Sequence, residues 1–174
     1  AEQLLWERWA AGPELGLAVL TPTVHVPPTP TWTATPTRTS TPTKTRLCHA
    51  GRRALAEARK EVRAGNRLNR LGRAVERVAR AHRFKVIRNL AGHGVGRSLH
   101  EDPEDIVSYF RHDDPRVLRE GMVIAVEPFL STRATEVREG TDGWTLLARR
   151  GNFSAQYEHT LIVTRGRPVV VTAR

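Results

Sequence analysis

An α+β fold is predicted for the last three quarters of the chain. Two stretches with helical periodicity come first, several short apolar runs follow, and the last two of these close on each other across the turn Arg165-Gly166-Arg167. Leu47, Leu55, Ala58 and Val62 share one face of the first helix, and Gly65 is placed to end it. Leu68, Leu71, Val75, Val78 and Ala79 mark a second helix reaching to about Arg83. The period then changes. Val86-Ile87 leads into a Gly-rich stretch, Met122 to Leu130 reads as one buried strand, and Tyr157 to Thr164 reads as another. Val169 to Thr172 reads as the returning strand, with Pro168 at its start, where a missing donor is tolerated.

The chain has 174 residues, enough for one domain, and is 39% hydrophobic. Two parts are expected. Residues 1–45 form an irregular Thr/Pro-rich N-terminal segment, and residues 46–174 form the folded unit. Thr fills every odd position from Thr29 to Thr45, but Pro30, Pro36 and Pro42 remove ladder donors, so an extended, disordered segment is expected there. Leu4, Leu5, Trp9 and Leu15 could line a short helix, which Gly12 and Pro13 interrupt.

Twenty-eight Lys and Arg face eighteen Asp and Glu, a formal net charge of +10. Only Lys44, Lys60 and Lys85 are lysines. From Arg46 to Arg97 fifteen basic residues meet three acids (Glu57, Glu61, Glu76), a balance of +12, so the rest of the chain is −2. Such a basic helical pair could attract RNA, for example a ribosome surface, or could simply be a solvated face, since no aromatic residues interleave the charges. No apolar run approaches the roughly 20 residues that cross a bilayer. No signal peptide is visible, and the lone Cys48 excludes an internal disulfide framework and a Cys-based zinc finger, so a cytoplasmic protein is expected.

Three stretches set polar groups into apolar strand context. In Gly92-His93-Gly94-Val95-Gly96, followed by His100, flanking glycines allow close backbone approach. In Val126-Glu127-Pro128 and in Gln156-Tyr157-Glu158-His159 a carboxylate sits where burial is costly unless a cation or donor compensates it. One imidazole and two carboxylates make a first shell for a divalent cation of intermediate hardness.

Four motifs then resemble the methionine aminopeptidases of the pita-bread metallopeptidase fold. They are Asn89-Leu-Ala-Gly-His-Gly-Val-Gly-Arg-Ser-Leu-His-Glu-Asp-Pro103, Gly121-Met-Val-Ile-Ala-Val-Glu-Pro128, Asp142-Gly-Trp-Thr145 and Ser154-Ala-Gln-Tyr-Glu-His-Thr160. The resemblance runs from about Leu47 to the C-terminus and matches the later part of that family's catalytic domain. It implies a pita-bread fold with its C-terminal half intact and its N-terminal half degenerate. The implied activity is metal-dependent removal of N-terminal Met from nascent proteins in the cytoplasm. The implied metal ligands are His93, Glu127 and Glu158, with Glu158 bridging two ions. Glu127 and His100 are the implied catalytic residues, and His100 would contact the scissile amide or its developing charge. Leu99 and Trp144 would border the methionine side-chain pocket. Val24-His25-Val26-Pro27 echoes the family's His-Gly-Ile/Val-Pro stretch without its Gly, which makes His25 a further substrate-binding candidate. Cobalt, manganese, iron and zinc all suit such a donor set. No membrane or DNA partner is expected; peptides with N-terminal Met are, with a ribosome contact as the alternative that the basic helical pair leaves open.

The family's first two ligands are aspartates upstream of the helices, and no Asp precedes Asp102 here. The chain thus supplies three of five ligands, enough for one zinc-like ion but weak for two. With one half of the fold degenerate, uncovered sheet edges and poor stability are expected. Thr codons read ACN; read one base upstream they become NAC, for Asp, Asn, His or Tyr. Thr33 follows Trp32, so it would become GAC, an Asp. The segment before Leu47 is therefore compatible with a shifted reading frame over aspartate codons. Two further readings follow. A catalytically dead relative would bind a peptide terminus without turnover. An RNA-binding module would show salt-sensitive affinity that survives Glu127→Ala.

Overall fold

The computed structural model describes residues 41–172. His25, the expected short helix near the start and most of the Thr/Pro segment lie outside them. Helix α1 spans Thr41–Glu61 and helix α2 spans Asn69–Ala81. Helix α1 therefore begins before the expected boundary, within the Thr/Pro run. A proline in a first turn has no intrahelical donor to lose, so Pro42 does not oppose this start. Leu47, Ala50, Ala54, Leu55 and Ala58 form its buried stripe, at three- and four-residue spacing. Gly65, expected to end this helix, lies four residues past its end at Glu61 and instead turns the connector with φ +89°. The connector is tied to later loops by Ala64 N–H donating to Thr164 O at 2.9 Å and Gly65 N–H to Leu118 O at 2.9 Å.

Helix α2 buries Leu71, Ala74, Val75, Val78 and Ala79. Gly72 sits directly against the Tyr109 carbonyl, where any Cβ would collide. Arg83, with φ 61°, ends this helix, and Phe84 N–H donates to Ala79 O at 2.8 Å.

Among the described residues ten short strands follow. They are β1 (Lys85–Val86), β2 (Ala91–Gly94), β3 (Glu101–Val107), β4 (Val123–Val126), β5 (Phe129–Ser131), β6 (Arg138–Glu139), β7 (Leu146–Leu147), β8 (Ser154–Gln156), β9 (His159–Ile162) and β10 (Val169–Val170). They form a five-stranded antiparallel sheet ordered β10-β9-β4-β2-β3, a three-stranded sheet ordered β1-β5-β8, and the hairpin β6-β7. The predicted return across Arg165-Gly166-Arg167 is present, with Val169 opposite Ile162. One core joins the helix stripes to Val86, Ile106, Leu118, Ile124, Val126, Leu130, Ala155, Leu161 and Val163.

One expected strand is divided and another is shorter than expected. Met122 to Leu130 is not one strand, because β4 belongs to the larger sheet and β5 to the smaller. Glu127-Pro128 is the crossing, and Pro128 has no donor to continue a ladder. The expected strand Tyr157 to Thr164 is present as β9, and Tyr157-Glu158 before it carries the chain from β8 in the small sheet to β9 in the large one. Val126 pairs with His159 and Phe129 pairs with Gln156. The register is continuous, so Glu127 and Glu158 stand opposite each other where both ribbons leave one sheet for the other. The fold thus places the two candidate carboxylates at a single seam.

Candidate metal centre

His93 lies on β2, buried, and pairs with Ala125 of β4. Residues two apart on a strand share a face. His93 on β2, Glu127 just past the end of β4 and Glu158 just before β9 therefore fall on neighbouring positions. Gly92 makes this possible. Its Cα faces the Ala125 carbonyl so closely that an added Cβ would collide with it, and that Cβ would also lie 3.4 Å from Glu127 Cγ.

The imidazole orientation follows from its partner. His93 Nδ1 is 2.8 Å from Gly94 O. A carbonyl oxygen only accepts, so Nδ1 carries a proton and Nε2 faces Glu127. Nε2 lies 3.6 Å from Glu127 Oε1. That is too long for a hydrogen bond. Two donors each about 2.1 Å from one tetrahedral ion would stand about 3.4 Å apart, so the pair has the spacing of donors that share a cation.

Glu127 is fixed from the other side. Gln156 Nε2 donates to its Oε2 at 2.5 Å, which turns Oε1 toward His93. Burial, and next the charge of Glu158 across the seam, push the Glu127 carboxyl up to about 9. Without a compensating cation this carboxyl keeps its proton at neutral pH, and a divalent ion would favour its ionised form.

His100 lies in the bend between β2 and β3, and its ring is 3.9 Å from that of His93, centroid to centroid. Desolvation, and next the neighbouring His93, lower its pKa below 6.5, so the ring is neutral at pH 7. Glu101 holds this bend. Its Oε1 accepts from Ser98 N at 2.8 Å, and its carboxylate packs against Gly96.

Among the described residues no group of three or more His, Cys, Asp or Glu side chains is arranged to hold a metal ion. The expected three-donor shell is therefore not assembled. His93 and Glu127 fit a cation as a pair, while Glu158 stands opposite and its charge disfavours ionisation of Glu127. Leu99 and Trp144, the expected pocket residues, are 48% and 64% exposed. Trp144 follows the turn between β6 and β7, where Asp142 Oδ1 accepts from Trp144 N and Thr145 N.

Two residues with a place in the site had no role in the sequence reading. Gln156 was visible as an amide two positions before Glu158, and Glu101 as an acid just after His100. Neither pattern alone says which backbone or carboxylate the side chain meets.

The sequence model of metallopeptidase family M24 matches residues 23–165. The chain belongs to metallopeptidase family M24. It is 45% identical over 127 residues to a methionine aminopeptidase of Staphylococcus epidermidis, which spans 73% of this chain and 51% of that protein. The crystal structure of a methionine aminopeptidase from Thermotoga maritima superposes with a TM-score of 0.70 at 35% identity, covering 75% of this chain and 52% of that one. The corresponding figures for the methionine aminopeptidase of Rickettsia prowazekii are 0.71, 33%, 75% and 53%. This M24 chain spans about half the length of the relatives it matches. Its fold is the pita-bread fold of the family, with the described residues covering one half.

Proposed function

We propose that this M24 chain carries the metal-binding half of a metalloaminopeptidase that removes N-terminal methionine from nascent proteins in the cytoplasm. The observation that carries the reading is the seam geometry, with His93 Nε2 3.6 Å from Glu127 Oε1 and Glu158 in register opposite Glu127. His93, Glu127 and Glu158 would hold one or two divalent ions, with cobalt, manganese, iron and zinc all suited to these donors. When bound, such an ion supplies Lewis acidity to the peptide carbonyl and to water.

The chain's own residues supply the rest. Gln156 aims the Glu127 carboxylate, which in its ionised form takes the proton of the attacking water. His100, neutral at pH 7, donates an N–H to the oxygen where negative charge develops. Leu99 and Trp144 would border the methionine side chain once it is bound, with His25 a further candidate for the substrate. The substrates in this reading are peptides and nascent chains that begin with Met.

A second reading has its own observation. No three-donor group is assembled among the described residues, and no Asp precedes Asp102. In that reading the chain is a catalytically inactive relative that binds a peptide terminus. Methionine released from a Met-Ala peptide, with added cobalt or manganese and a Glu158→Ala control, separates the two. Turnover that the control loses supports the peptidase. Peptide binding without turnover in folded protein supports the inactive relative.

A further inference from the structure

We propose that the outer ridge of α2, with Phe110, binds the sugar–phosphate backbone of a single-stranded RNA. Two open grooves of about 510 and 490 Å3 run along this helix. They share Arg73 and Phe110, and neither is lined by a residue of the metal centre. Between them they expose Arg67, Arg70, Arg73, Arg77 and Arg80.

The last four recur at helical spacing on the face opposite the buried stripe. From Arg70 to Arg80 they span ten residue steps of helix, or about 15 Å. Every one is Arg rather than Lys, and a guanidinium grips phosphate with two parallel N–H donors.

The nearby acids do not neutralise the ridge. Arg70 pairs with Glu61 at 2.7 Å, while Arg77 lies 3.9 Å from Glu57 and Arg80 3.8 Å from Glu76. These arginine side chains stay 54%, 71% and 80% exposed, and such surface pairs give way easily to a phosphate.

Arg73 is held differently. Its guanidinium carbon lies over the Phe110 ring, 4.0 Å from the ring centroid, so the ring positions this cation before any ligand arrives. The adjacent Tyr109 holds Arg88 in the same way at 3.8 Å. The sequence showed no aromatic residues among the charges of the two helices. The fold brings them in from the end of β3, and an arginine stacked on a ring presents its open face to a nucleobase or its edge to a phosphate. Charge complementarity and the guanidinium held over the Phe110 ring favour RNA over an acidic peptide, which offers carboxylates but no planar bases.

The test uses the whole chain and a fluorescent 12-residue oligouridylate, with binding read by anisotropy at 50 and 200 mM salt. Four phosphate contacts on a single strand predict a salt slope of about −2.8, an affinity loss of about 50-fold over that range. The Arg73→Ala/Arg77→Ala double variant should bind at least tenfold more weakly at 50 mM salt, with a slope shallower by about 1.4. Phe110→Leu should weaken binding with the slope unchanged, because it unsettles Arg73 without removing a charge. Arg167→Ala, an exposed arginine off the ridge, and Glu127→Ala should keep full RNA affinity, the latter separating this site from the peptidase reading. Circular dichroism confirms that each variant is folded. Unchanged affinity in the double variant overturns the proposal. Tighter binding of a polyglutamate peptide than of the oligouridylate overturns it in favour of an acidic partner, and equal affinity for duplex DNA overturns it in favour of a nonselective polyanion surface.

Discussion

His93 Nε2 and Glu127 Oε1 face each other across 3.6 Å, each fixed from behind by a hydrogen bond that leaves the facing atom free. Gly94 O accepts a hydrogen bond from His93 Nδ1–H, and Gln156 Nε2 donates to the second Glu127 oxygen. Outer partners of this kind orient metal ligands and tune their basicity.

The raised Glu127 carboxyl makes stability depend on pH. Its folded value of about 9 exceeds the ordinary 4.5, so its contribution is intact below pH 4.5 and is lost as pH rises toward 9. Urea unfolding of metal-free protein should show wild type losing stability relative to Glu127→Gln by about 1 kcal/mol per unit between pH 5 and 8. Excess manganese should remove that loss in wild type only. Parallel curves for the two proteins would contradict a buried, repelled carboxyl.

Gly92 sets the distance between β2 and β4. Gly92→Ala must push a methyl against the Ala125 carbonyl and should cost about 1–3 kcal/mol in urea unfolding. If the alanine variant were as stable as wild type, the close approach would have no structural consequence.

Asp114 is buried and clasped by two arginines. Its carboxylate receives Arg116 Nη2 at 2.7 Å and Arg111 Nη2 at 3.0 Å, and Arg116 above all holds it down at about 2. A depressed carboxyl stabilises above its ordinary value and loses that contribution as pH falls through the folded one. The acid limb assigned to this group therefore runs from pH 3.8 down to about 2. Asp114→Asn should cost about 3 kcal/mol at pH 7 and flatten that limb. An unaltered acid limb would assign it to other carboxylates.

Asn152 is fully buried, and its Oδ1 accepts from Arg133 N at 3.0 Å and Ala134 N at 2.9 Å. Asn152→Ala leaves those donors without a partner and should destabilise the protein by about 1–3 kcal/mol. Amide exchange at Arg133 and Ala134 should rise selectively; uniform exchange across the chain would point instead to global loosening.

The two helices and the four motifs were legible because their signals are local. Helical spacing marks Leu71, Val75 and Val78, and the motif residues lie close together in sequence. What was hidden depends on contacts between distant segments. Ala91–Gly94 has two glycines, which disfavour a strand by composition, yet it pairs because they let it approach Ala125 and Asp102. Glu101–Val107 carries acids and a proline, and it is held by pairing to β2 and by Asp105 bound to Arg111 and Arg116. The division of Met122 to Leu130 between two sheets leaves no mark in an apolar run except Pro128. The candidate site was legible as a set of residues, but the seam that sets Glu127 opposite Glu158 was not. Nor could the sequence show that the three expected donors fall short of a metal-holding cluster.

Calorimetric titration of the chain with manganese or cobalt tests the metal centre most directly, alongside His93→Ala and Glu127→Gln. The account predicts saturable binding that both variants weaken by tenfold or more. Binding unchanged in the variants, or none in folded wild type, would contradict it.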